Sequence, residues 1–141
     1  MSLQLPVGSL TVLLGPALAR HRVMAVLDES TGRCASGHTA VQAVRLVAAP
    51  DDPVAERMHA LEDVRRGGAA IVLVDRFTEG LGAGDRAALL RELAALADGR
   101  AVLVHDRDPV AALAVAGGAL RIGATGELAY EPIDEPDYLA S

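Results

Sequence analysis

Short apolar runs separated by helix-length segments most constrain how this chain can fold. SLTVLL at 9–14, VQAVRLVAA around 43–48, AAIVLVD at 69–75, RAVLV at 100–104 and ALRIG at 119–123 all have strand length. The run at 69–75 is apolar without alternation, as a strand covered on both faces should be. Four helical segments lie between the runs. Residues 17–27 carry Leu18, Val23, Met24 and Leu27. The second follows Asp52, a suitable N-cap, with Pro53 in the first helical position and Gly67 at the C-cap. The third, 85–98, has Asp85 as cap, a Leu89, Leu93 and Leu96 face and Gly99 as its end. DPVAALAVAG, 108–117, is the fourth. Strand–helix alternation of this kind predicts an α/β protein of three layers around a mostly parallel, doubly wound, five-stranded sheet. GELAY, 126–130, adds a hairpin strand through Gly126. Residues 1–130 read as one domain, with a turn-rich loop at 28–38 and an acidic, Pro-interrupted tail at 131–141 that is extended or disordered.

Composition then removes several function classes. All thirteen basic residues are Arg, so no lysine-dependent chemistry is open to this chain, neither a phosphate-neutralising lysine nor a Schiff base. A net charge of −6 argues against nucleic acid as a partner. The single cysteine, Cys34, excludes an internal disulfide and suits a reducing cytoplasm. No signal peptide and no apolar stretch of membrane-spanning length is visible, so direct membrane insertion is not expected.

Several motifs bear a family resemblance. GSLTVLLGP resembles the Walker A strand that opens an ATP-binding cassette (ABC) ATPase core. The stretch from AAIVLVD through VLVHDRDPVAALA resembles, in order and spacing, that family's Walker B strand, D-loop, following helix and switch-histidine strand. GALRIGATGELAY resembles its closing strand and hairpin. The resemblance spans residues 8 to about 130 and implies the strand order 5-1-4-3-2. It implies that Asp75 would hold magnesium through water, that Gly80–Asp85 occupies the D-loop position, and that His105 would reach a terminal phosphate.

The departures fall where phosphate would bind. A phosphate-binding loop of this kind needs G-x-x-x-x-G-K-[ST]. Gly15 opens the loop, but Arg20, His21 and Arg22 hold the Gly, Lys and Ser/Thr places, and Arg76 stands where the family has a water-polarising Glu. No LSGGQ-like signature follows, and Gln42 precedes a strand rather than following one. Phosphoryl transfer rests on positioning and charge stabilisation, so these losses imply no turnover. Arg20, His21 and Arg22 remain either an anion site at a helix N-terminus or a solvated basic turn. His105 and Asp106 are either acid–base groups or loop residues, with Asp108 capping the helix at Pro109. Cys34 and His38 make a poor metal signal without a second pair. The expected function is a non-hydrolysing ABC ATPase-like protein acting through protein contacts, as a homo-oligomer or with another protein, and with no assigned cofactor. A weak nucleotide sensor binding ATP and magnesium through Arg20 and Arg22, or an unrelated small α/β enzyme using His105, Asp106 or Cys34, are the alternatives.

Overall fold

A computed structural model describes residues 5–31 and 43–133. Its elements in chain order are β1 (Leu10–Leu14), α1 (Ala17–Thr31), β2 (Ala43–Val47), α2 (Val54–Arg66), β3 (Ile71–Asp75), α3 (Ala83–Leu96), β4 (Ala101–His105), α4 (Val110–Leu113), β5 (Gly118–Ile122) and β6 (Leu128–Pro132). The strands form one six-stranded sheet in the order β2-β3-β4-β1-β5-β6. β1 to β5 are parallel, and β6 returns antiparallel to β5.

The central strands divide their side chains between two apolar layers because successive residues point to opposite faces. Val72 and Val74 of β3 and Val102 and Val104 of β4 meet Leu61 of α2 and Leu89, Leu93 and Leu96 of α3. Leu73 and Leu103, one position along, turn to the other face and meet Met24 and Leu27 of α1. Both sets are apolar, so the strands read as unbroken hydrophobic runs. One face thus carries α2, α3 and α4, and the other carries α1, which lies mainly over β2, β3 and β4. No helix among the described residues is long and apolar enough to cross a membrane.

Local chemistry moves several element ends. Helix α1 continues to Thr31, into the segment expected to be loop. Asp52 does not cap α2. Its carboxylate instead accepts from the Ala49 N–H at 2.9 Å, and Pro53 takes the N-cap. Gly67 does close α2, its N–H meeting the Asp63 and Val64 carbonyls. Helix α3 starts at Ala83 behind Gly82, which leaves Asp85 in the first turn, where it complements the dipole without capping. Helix α4 is four residues long rather than ten. It stops because the Gly117 N–H is already bonded to the Leu10 carbonyl at 2.8 Å, which puts residue 117 in line with the sheet. The hairpin turns through Gly126 at φ +87°, and β6 runs on to Pro132, two residues past the end expected for GELAY. The tail from residue 134, like Cys34 and His38, lies outside the described residues.

Thr11 is fully buried in β1, and its hydroxyl has no hydrogen-bond partner. Thr11→Val exchanges that hydroxyl for a methyl of the same shape. It should raise unfolding stability by about 1 kcal/mol, read as a higher urea midpoint at unchanged m-value.

Candidate functional site

The carboxyl ends of β3 and β4 bring together Asp75, His105 and Asp106, three of the four buried ionisable side chains among the described residues. This is the edge at which open α/β sheets bind ligands. Asp75 and His105 are direct partners in the β3–β4 register, so their side chains share a face, the α1 face of Leu73 and Leu103. His105 Nδ1 lies 2.9 Å from Asp75 Oδ1. Arg45 of β2, in register with Leu73, reaches the second Asp75 oxygen. Arg76 approaches the first oxygen at 3.4 Å. Asp75 is fully buried. Burial opposes its ionisation, but the His105 hydrogen bond and then the Arg45 guanidinium outweigh it and hold the carboxyl well below the usual carboxylate range. An ionised carboxylate can only accept, so His105 Nδ1 carries the proton and donates.

Asp106, the next residue along, behaves in the opposite way. It is 3% exposed, and its carboxylate accepts from the Thr78 hydroxyl at 3.1 Å. Burial pushes its pKa up to about 6 against the lowering effects of Thr78, Arg86 and His105. It lines a cleft of about 190 Å³ with Thr78, Glu79, Gly80, Arg86 and Asp108. Asp108 accepts from the Val110 N–H at 3.2 Å, the capping contact expected before α4.

The turn between β1 and α1 contains only Gly15 and Pro16, and the Arg20 N–H already bonds to the Pro16 carbonyl at 2.9 Å. Arg20 therefore sits within the first turns of α1, and its guanidinium donates to the Asp106 carbonyl oxygen. His21 and Arg22 follow it, exposed on the helix. Gly15, at φ +145°, is explained by packing: a Cβ there would come within 2.9 Å of the Ile122 side chain. The structure thus groups Asp75 with His105, ties Arg20 to the Asp106 backbone, and leaves His21 and Arg22 in solvent. Among the described residues no three His, Cys, Asp or Glu side chains converge to hold a metal ion.

The residue that organises this edge did not show itself in the sequence. Arg57 of α2 is 2% exposed. Its guanidinium donates to the carbonyls of Ala49, Pro50 and Asp52 in the β2–α2 loop, and to those of Phe77 and Glu79 after β3, at 2.7–3.2 Å. The two loops touch where Arg57 joins them, since a Cβ on Gly80 would lie 2.1 Å from the Pro50 oxygen. This clamp holds Thr78 against Asp106. The available signal was its spacing, because Arg57, Leu61 and Val64 share one buried face of α2.

Arg57→Met should cost about 3 kcal/mol or more, since five loop carbonyls lose a charged donor. Arg57→Lys should recover only part of this, because an ammonium has no fork to span both loops. Chemical denaturation of both variants measures the difference. Asp106 yields a second expectation. Its folded pKa of about 6 lies above the ordinary 3.8, so the folded state holds a proton that the unfolded state releases. The contribution of Asp106 to stability is therefore fully present below about pH 4 and is lost, by roughly 3 kcal/mol, as pH rises through 6. Asp106→Asn keeps an acceptor for Thr78 and removes the titration. Relative to the parent, it should gain that amount between pH 4 and pH 8 in denaturation series. No known protein family matches the chain, and no curated protein matches it either.

Proposed function

We propose that this chain is a non-hydrolysing protein of the ABC ATPase-like kind whose work is done through protein contacts. The observation that carries the reading is the state of Asp75. The carboxylate that would hold magnesium through water is buried, and both its oxygens are taken by His105, Arg45 and Arg76. A divalent ion there would have to displace two guanidinium groups. The short β1–α1 turn supports the same reading, since helix already occupies positions where backbone N–H groups would need to open around phosphates. The run β5-β1-β4-β3-β2 within the sheet supports the same reading.

Contacts are left to the surface. Leu18 and Val26 of α1 are exposed on the face turned to the β5–β6 hairpin, an apolar surface of the kind on which protein contacts form.

Calorimetric titration with MgATP and with MgADP tests the reading, and both should give flat traces. A dissociation constant below about 1 mM, at least roughly 4 kcal/mol of binding, would overturn it in favour of a nucleotide sensor. Arg20→Ala and Arg22→Ala would then locate the phosphates by weakening that affinity.

A further inference from the structure

Helix α1 and the β5–β6 hairpin enclose an open, mostly apolar groove of about 390 Å³. Its helical wall is the stripe Leu18, Arg22 and Val26, four residues apart and therefore on one face. Leu18 is 63% and Val26 47% exposed. Ile122 forms the floor, and Tyr130, on the same face of the sheet and 37% exposed, stands beside it.

We infer that this groove seats the chain's own C-terminal segment, residues 134–141, with Tyr138 and Leu139 as its apolar anchors. Reach is the first argument. The Ile133 N–H donates to the Gly117 carbonyl at 3.0 Å, so the segment departs at the amino end of β5. Helix α1 runs back from the carboxyl ends of the strands, which puts Val26 toward that same end of the sheet. Asp134 to Leu139 can span up to about 20 Å, against roughly 13 Å for the length of β6. That leaves enough chain to reverse and run along the groove. Chemistry is the second argument. Tyr138 and Leu139 are an adjacent bulky apolar pair in a segment whose other side chains include Asp134, Glu135 and Asp137. Arg22 on the groove is exposed and makes no ion pair with any described residue, so acids running beside the anchors complete it. Tethering is the third. A short linker gives an effective concentration in the millimolar range, so a small contact suffices within one chain where it would not between two.

The arrangement makes the α1 surface self-covered, and a partner docking there has to displace the segment. The inference goes beyond the non-hydrolysing reading and stands whether or not nucleotide binds.

A nitroxide on Ala140→Cys, in full-length protein carrying Cys34→Ser, tests it by paramagnetic broadening of methyl signals. The Val23 and Val26 methyls should broaden, and Val110, exposed beside the opposite layer, should not. Adding Tyr138→Ser and Leu139→Ser should abolish the broadening, and in otherwise unaltered protein the same pair should lower Tm by about 3 °C. Absent or uniform broadening overturns the inference, as does an unchanged Tm. Mixing isotope-labelled protein lacking the nitroxide with unlabelled, spin-labelled protein tests the remaining case. Broadening that survives the mixing assigns the groove to a second copy's segment and also overturns it.

Discussion

The guanidinium of Arg57 is the constraint on which the site edge of this fold depends. A buried cation is costly unless its charge is met, and among the described residues no carboxylate meets it. Five carbonyl oxygens from two loops do so. Those loops follow β2 and β3, so one side chain fixes how the chain leaves two adjacent strands. Phe77 can then sit 1% exposed in the α2–α3 layer, and Thr78 can face Asp106. Without the clamp, the backbone groups of both loops would need water where the close approach of Gly80 to Pro50 leaves no room.

Asp75 and Asp106 show how environment alone separates two identical groups at one sheet edge. Both are buried and both neighbour His105 in the chain or the register. Asp75 has a ring N–H and two guanidinium groups within reach, so its charge is compensated several times over. Asp106 has a neutral hydroxyl as its direct partner, with more distant cations, and burial prevails. The spent carboxylate is the one that the Walker B resemblance would assign to metal. The titratable one lines a cleft that the resemblance does not describe.

Much of the architecture was legible because both faces of the sheet are covered. A strand such as IVLVD has nowhere to place a polar residue until its end, so the runs announced themselves. Gly126 marked the hairpin and Gly67 the end of α2 for equally local reasons. Failures came where tertiary contacts outcompeted local grammar. Asp52 and Asp85 look like caps, but the first closes the preceding loop and the second is bypassed by a helix that starts earlier at Gly82. Helix α4 lost most of its expected length to the sheet bond of Gly117. At the site, Asp75 and His105 were found through strand ends. Arg45, Arg57 and Thr78 were not, because a polar residue on an element looks solvent-facing until its partners, 20 to 30 residues away, are known.

The outer edge of the sheet limits how copies of this protein can associate. The Ile133 N–H points inward to Gly117, so along β6 the N–H groups of residues 129 and 131 also point inward, and the positions of Leu128, Tyr130 and Pro132 face outward. The last of these has no N–H to give. Only two outward donors remain on a strand flanked by Glu127 and bearing Glu131, which is too little to template a continuous intermolecular sheet. This edge resists growth by addition of strands from further copies, so contacts that form on this side fall to side-chain faces rather than to the backbone ladder.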